Sequence, residues 1–319
     1  ISKNNFKFLI DEKINIQGKS WPINKIKIFS EIEDNKEILN FGSKNEKIFY
    51  IIKYKDLANS LYKHIKKNSF IKQYKIKNKA FFNSILDEKD NYDLIINFNE
   101  NNAISKKLFY KRNEKDYNSF AYTSLISHFR CNNNIAHQIF TKFGPLAFLP
   151  NSNKETSIVF SVLDKNNNIS ESKIKDLILN YNKYYKIKSF TKFEKFKLKS
   201  SILKNYYYKK ILCFGDNLHK IHPLAGQGFN MTIRDLIILR ELINNKLDLG
   251  LPLDCSIYED FEKRTKHLNF LFASSIDLIL QFFSIDNTFF KNYSKKIFNF
   301  LNKNKSINDL IIKYADRGL

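Results

Sequence analysis

The chain has 319 residues, 43% of them hydrophobic, enough to bury one large composite core or two interleaved ones. Lysine and arginine (54) outnumber aspartate and glutamate (32) for a formal net charge of +22. The excess is spread along the whole chain with no basic stripe or recognition module, which argues against a nucleic-acid binder and leaves attraction to an anionic membrane face.

In chain order, "SWPINKIKIFSEI" alternates Ile23, Ile26 and Ile28 with polar residues and predicts a strand. "KIFYIIKY" (Lys47 to Tyr54) predicts a second, running into a helix whose Leu57, Leu61 and Ile65 recur at four-residue spacing. "YDLIINF" (Tyr92 to Phe98) is a short continuous apolar run, the pattern of a strand buried on both faces. Between Ser119 and Val162 several strand-like runs separated by turn residues, among them "HQIFTKFGPLAFLP" and "TSIVFSVLD", predict an antiparallel sheet. "ESKIKDLILNYNKYY" places Ile174, Leu177, Ile178 and Tyr181 on one helical face. "KKILCFGD" then reads as a buried strand and "FNMTIRDLIILRELINN" as a helix, and from Cys255 onward the pattern is helical.

The most apolar stretch, "LNFLFASSIDLILQFF" (Leu268 to Phe283), is broken by Ser274, Ser275 and Asp277 and falls short of the ~18 apolar residues of a spanning helix. No transmembrane segment and no signal peptide are expected. The three cysteines, Cys131, Cys213 and Cys255, stand far apart without C-x-x-C spacing, so a reducing compartment is expected and a thiolate metal site is not. The first residue is Ile1 and the only methionine is Met231, from which the chain is expected to lack its true N-terminus.

Three of the 8 glycines fall in "GDNLHKIHPLAGQGFN", Gly215 to Asn230. The segment reads as a strand end, a tight turn at Gly215, an acid, a loop, and Gly-x-Gly leading into a helix. A helix N-terminus offers unpaired N–H donors and partial positive charge. Gly226 and Gly228 let a backbone approach a flat ligand, and Asp216 at a strand's C-terminal end can accept hydrogen bonds from sugar-like hydroxyls. A nucleotide-like cofactor satisfies these features together; a plain turn followed by a helix-entry loop satisfies the spacing equally well. His219 and His222 have no third ligand at recognisable spacing, so no metal site is expected and their role is to stabilise the loop.

The whole segment resembles the signature GD-x-x-H-x-x-x-P-x-x-G-Q-G-x-N-x-x-x-x-D of the flavin-dependent aromatic hydroxylases, most closely the ubiquinone-biosynthesis branch. Gly215, Asp216, His219, Pro223, Gly226, Gln227, Gly228, Asn230 and Asp235 all match. "AHQIFTKFGPLAFLP" (Ala136 to Pro150) is similar to that branch's substrate-sheet segment, and "YEDFEKRTKHLNFLF" to its C-terminal helix start, at Tyr258 and Arg264.

The resemblance implies an α/β fold: a split FAD/NAD(P)-binding three-layer domain (48–112 and 201–250, its first βαβ upstream of residue 1), an inserted antiparallel substrate-domain sheet (18–47 and 113–200) and a helical C-terminal region (251–319). It implies FAD bound by Gly215, Asp216, Pro223, Gly226, Gln227, Gly228, Phe229 and Asn230, with Phe143, Gly144, Pro145 and Leu146 lining the substrate. It assigns no catalytic side chain and no metal, since the flavin, reduced by NAD(P)H and charged with O2 as a C4a-hydroperoxide, performs the hydroxylation. The implied substrate is a polyprenyl phenol, the implied setting the cytoplasmic face of a membrane beside other quinone-biosynthesis proteins, with no nucleic acid.

The chain departs from the pattern in several places. It has no G-x-G-x-x-G, and the family's G-A-D-G-x-x-S-x-x-R reads "NFNENNAISK" here: Asn99 stands for the acid, Glu100 for a glycine, Ala103 for the serine and Lys106 for the arginine. Lys53 and Thr232 replace a further acid and glycine. A β-carbon at Glu100 is expected to obstruct the turn, and these departures support an alternative, a non-catalytic relative acting as a binding or scaffold component.

Overall fold

The alternating isoleucines that predict one strand fold as two, β1 (Ser20–Ile23) and β2 (Lys25–Ser30), because the chain crosses at Asn24, whose N–H goes to the Asn134 carbonyl at 2.9 Å. The computed structural model describes residues 1–31, 36–42, 46–74, 92–164 and 169–284. They fall into two units, one of Ile1–Lys67 and Tyr117–Leu198 with the chain from Leu278, the other of Asn68–Asp116 and Lys199–Asp277. Among the described residues no helix is long and apolar enough to cross a membrane.

In the first unit helix α1 (Lys3–Asp11), capped by the Ser2 hydroxyl, precedes a two-stranded ribbon in which β1 pairs with β4 (Phe49–Ile52). Helix α2 (Tyr54–Lys66) follows where the leucine spacing predicts it, with Leu57 buried. The main sheet takes β2, β3 (Lys36–Gly42), β6 (Arg112–His128), β7 (Ile135–Thr141), β8 (Gly144–Pro150) and β9 (Glu155–Leu163). The order is β6-β9-β8-β7-β2-β3, antiparallel except for the β2–β7 pair, and β10 (Ile187–Phe190) joins β6. One face of this sheet is covered by α4 (Glu171–Tyr181). Its Ile174 and Ile178 are fully buried against Ile126, Leu146, Phe148, Ile158 and Phe160, burial worth roughly 1.5–3 kcal/mol per side chain.

The second unit carries a three-stranded sheet of order β12-β13-β5, with β5 (Ile95–Asn97), β12 (Tyr207–Tyr208) and β13 (Ile211–Cys213). Strand β13 is buried throughout, as its apolar run predicts. Strand β5 is not: Ile96 is 39% exposed, because among the described residues nothing covers the face to which it points. A continuous apolar run does not show whether both faces of a strand are covered.

The short helix α3 (Ala103–Leu108) follows β5. Strand β11 (Glu194–Leu203) pairs at its end with β14 (His219–Lys220). Two long helices, α5 (Gln227–Asp248) and α6 (Ser256–Ser284), supply the rest. Leu239 of α5 and Tyr258 and Phe261 of α6 close the core over Leu212, Phe214 and Tyr206. The Tyr258 hydroxyl donates to the Ile95 carbonyl at 3.1 Å, and burial pushes its phenol well above the usual range. The helical pattern predicted beyond Ser284 lies outside the described residues.

Candidate functional site

Strands β5 and β13 run parallel, with Asn97 opposite Cys213, so their C-terminal ends open together. That is where ligands bind in open α/β sheets. After β13 the chain turns through Gly215, whose φ of +62° favours glycine and where a β-carbon would lie 3.3 Å from the Phe98 ring. Phe98 itself packs edge-on against Phe214 at 5.5 Å. The turn leaves Gly215 and Asn217 buried and Asp216 exposed. Asp216 therefore stands clear of the core at the strand end.

The loop that follows is anchored by a pair the sequence does not reveal. His219 of β14 meets Asp235 of α5, Nε2 to Oδ2, at 2.7 Å, both side chains essentially fully buried. Asp235 also accepts from Asn269 Nδ2 of α6 at 3.1 Å and from Arg234 at 3.3 Å. Two fixed positions of the signature, sixteen residues apart, are thus one contact. His222 is buried too, and burial pushes its imidazole down to about 4 against the opposing influence of Asp277. Among the described residues no cluster of ligand-type side chains could hold a metal.

Past Pro223 a single turn, Leu224–Gly226, delivers the chain into α5. Gly226 takes a left-handed conformation, φ +64° and ψ 30°, at the N-cap, and no side chain caps the helix. The first-turn N–H groups of a helix of 22 residues are therefore left for a ligand. Nothing lies within 4 Å of a β-carbon at Gly226, and at Gly228 only the Ile221 side chain does, at 3.8 Å. Gln227 and Gly228 are half-buried and Phe229 is 40% exposed, while Asn230 is buried and donates to Gln227 Oε1 at 3.2 Å. Thr232, where the family has glycine, donates back to the Gly228 carbonyl and puts its methyl beneath Gly215.

The departures after β5 are accommodated. Glu100 is not a positive-φ residue, so the expected obstruction does not arise: this turn has no position that needs glycine. Its carboxylate instead meets Lys220 of β14 at 3.3 Å. Asn102 caps α3 through its side chain, and Lys106 lies in the last turn of that helix. Lys53, at the N-cap of α2, pairs with Glu155 at 2.7 Å in the first unit.

The four residues expected to line a substrate lie in the first unit, in and after the β7–β8 turn. Gly144 has φ +131°, and a β-carbon there would strike the Ser161 carbonyl of β9. Phe143 and Pro145 are half-buried. Leu146 is fully buried in the core under α4, so strand alternation puts it on the face opposite Pro145 and Ala147. The Pro145 face also carries Gln138 and Phe140, which register pairs with Ala147 and Pro145, and Phe140 stacks on Phe283 at 3.6 Å. Alternation along β7 and β8 was the signal that separates these faces.

A concavity of about 930 Å³ in the second unit is lined by Ile202, Tyr207, Tyr208 and Phe270 with the Lys263–Glu259 and Lys266–Glu262 pairs at its rim. No residue of the signature lines it.

Residues 122–247 match the FAD binding domain family. Among curated proteins the chain is similar to the mitochondrial ubiquinone biosynthesis monooxygenase COQ6 of Dictyostelium discoideum, 28% identical over 109 residues that cover 34% of this chain and 22% of that protein. It is also similar to the ubiquinone hydroxylase UbiL of Rhodospirillum rubrum, 32% identical over 82 residues, 25% of this chain and 19% of that protein. The matched stretches thus span about a fifth of the length of these relatives. Among solved structures the fold matches p-nitrophenol 4-monooxygenase from Pseudomonas putida with a TM-score of 0.72 at 8% identity, over 97% of this chain and 86% of that one. It matches a probable FAD-dependent monooxygenase from Pseudomonas aeruginosa with a TM-score of 0.67 at 11% identity, over 94% and 88%. The fold is the mixed α/β architecture of the FAD-dependent monooxygenases.

FAD is the cofactor of the matched domain family, and the second unit has features that could hold such a group. The uncapped N-terminus of α5, the open backbone at Gly226 and Gly228 and the exposed carboxylate of Asp216 offer the donors, the flat approach and the hydroxyl acceptor that such a group needs.

Proposed function

We propose that this chain is an FAD-dependent monooxygenase that hydroxylates a polyprenylated phenol in ubiquinone biosynthesis. The observation that carries the reading is the convergence of Asp216 and the uncapped α5 N-terminus at the C-terminal ends of two parallel strands. The similarity to COQ6 and UbiL supports the choice of substrate. Bound FAD would supply the electrons taken from NAD(P)H and activate O2 for transfer to the ring.

The chain's own residues bind and orient. Asp216 would accept hydrogen bonds from ligand hydroxyls, and the glycines at 226 and 228 would admit a flat ring to the backbone. The α5 N-terminus would favour negative charge on a ligand held there by roughly 0.3–2 kcal/mol. Phe143, Gly144 and Pro145 of the first unit would line the substrate. The net charge of +22 favours a peripheral position at an anionic membrane face, where a polyprenyl substrate resides.

The test is uptake of FAD by the purified protein, read as flavin absorbance that co-elutes with it, together with NAD(P)H oxidation stimulated by a polyprenyl phenol. Asp216→Ala is expected to lower flavin retention at least tenfold; retention equal to wild type would remove Asp216 from the site. A second reading, a non-catalytic binding component, is favoured by Asn99 and Glu100 in place of the family's acid and glycine. It predicts protein that takes up no FAD at any concentration and oxidises no NAD(P)H.

A further inference from the structure

Beneath the two strand ends lies a buried polar network that the signature does not contain. Asn217, fully buried, shares the two Nδ2 hydrogens among three acceptors, the Asn97 carbonyl at 3.0 Å, Ser105 Oγ at 3.1 Å and Cys213 Sγ at 3.1 Å. Its own Oδ1 accepts from Arg112 Nη2 at 2.6 Å, and its carbonyl from Arg112 Nη1 at 2.9 Å. On the other loop, Asn97 Nδ2 donates to Ser105 Oγ at 2.8 Å, and Asn97 Oδ1 accepts from Asn102 Nδ2 at 2.7 Å and from the Asn99 N–H at 3.2 Å. Ser105 Oγ donates to the Asn99 carbonyl at 2.7 Å, and Asn99 Oδ1 accepts from the Asn101 N–H at 2.8 Å.

Four of these side chains, Asn97, Asn102, Ser105 and Asn217, are buried to 8% exposure or less. Buried amides are costly unless satisfied, and a satisfied network specifies one arrangement of the backbone it touches. Here that backbone is the Asn97–Asn102 loop on one side and the Gly215–Asn217 turn on the other. The bidentate grip of Arg112 on Asn217, through both its side-chain and main-chain oxygens, fixes the turn one residue from Asp216.

We propose that the Asn97–Asn102–Ser105–Asn217–Arg112 network is the positioning framework of the cofactor cradle, locking the turn that presents Asp216 to the loop that presents Asn99. It takes the place of a glycine-dependent turn, which is why Glu100 is tolerated without a left-handed backbone. This inference rests on the FAD reading for its function and on the network alone for its structural half, so the two are tested apart.

Asn217→Asp is isosteric, keeps the acceptor for Arg112 and sets a carboxylate oxygen against the Asn97 carbonyl. Arg112→Met removes the grip and keeps the aliphatic stem. Hydrogen exchange of the full chain without cofactor is expected to show protection at 97–105 and 213–218 falling at least tenfold in both variants, while amides of β7 to β9 keep wild-type rates. Unchanged exchange in those two segments would overturn the framework, whether or not the protein takes up FAD. In a titration with FAD, both variants are expected to raise Kd at least tenfold, and Arg112→Lys to recover part of that loss. Loosened segments with Kd within twofold of wild type would overturn the positioning role while leaving FAD binding intact; absence of FAD binding in wild type with loosened segments in the variants would overturn the cradle and the functional reading together, leaving only a fold element.

Discussion

Gly144 and Gly226 both have positive φ, +131° and +64°, yet they are glycines for different reasons. At Gly144 a β-carbon would enter the Ser161 carbonyl of the neighbouring strand, and neither backbone can move without opening the β8–β9 pairing. At Gly226 it meets nothing within 4 Å. Gly226→Ala therefore carries only the left-handed backbone penalty, about 1 kcal/mol. Gly144→Ala adds the collision and is expected to cost at least ~3 kcal/mol. Urea unfolding of the two variants checks the difference, and equal losses would contradict it. FAD affinity is expected to run the other way: Gly226→Ala weakens it although it costs less stability than Gly144→Ala, because the open space over Gly226 is where a flat ligand would come.

Asp235 joins three elements rather than stabilising one. It receives His219 from β14 and Asn269 from α6 while belonging to α5, and Arg234 closes the group from the adjacent position. Asp235→Ala would leave the buried His219 Nε2 without its partner and take one acceptor each from Asn269 and Arg234, which keep contacts to Tyr206 and to each other; it is expected to cost about 3 kcal/mol, whereas Asp235→Asn keeps the volume and part of the bonding and costs less. A denaturant midpoint for Asp235→Ala within ~1 kcal/mol of wild type, converted through the m-value, would show that the cluster is only packing. The sequence displays His219 and Asp235 as fixed points of a signature but not as partners, since their separation crosses a loop and a helix start. Asn269 carries no signal at all, lying in a helix whose pattern is dominated by apolar residues. Elements were more legible than their environments: the strand at Ile95–Asn97 follows from "DLIIN", but its exposed Ile96 does not, because an apolar run says nothing about which neighbours arrive. In the same way "FGPLAF" announces a turn and a strand, while the direction of Leu146 toward α4 depends on the register with β7 and β9.

One imidazole in each unit is held well below its usual pKa by burial, and the two together make the fold sensitive to acid. His137 in the first unit is pushed down to about 4 by burial and then by the Lys27 ammonium, its ring stacked on Tyr184 at 3.7 Å. His222 in the second is pushed down to about 4 by burial, with Asp277 opposing. The folded chain keeps both neutral where the unfolded chain takes up protons, near 6.5. Between those limits the unfolded state binds more protons, so stability is full above pH 6.5, falls as pH drops toward 4, and loses nothing further from these groups below that. Each contributes up to about 3 kcal/mol across the window. A second acid effect comes from net charge, since +22 grows as carboxylates are protonated and the compact state repels itself. Salt separates the two: added salt screens the repulsion between exposed charges and leaves the cost of protonating a buried imidazole nearly untouched. His137→Phe retains an aromatic ring for Tyr184 and His222→Phe a ring of similar size, so in high salt the double variant is expected to lose most of the slope between pH 6.5 and 4, and each single variant about half. Denaturant unfolding at a series of pH values measures it, and a double variant that keeps the wild-type slope would place the acid sensitivity in the carboxylates instead.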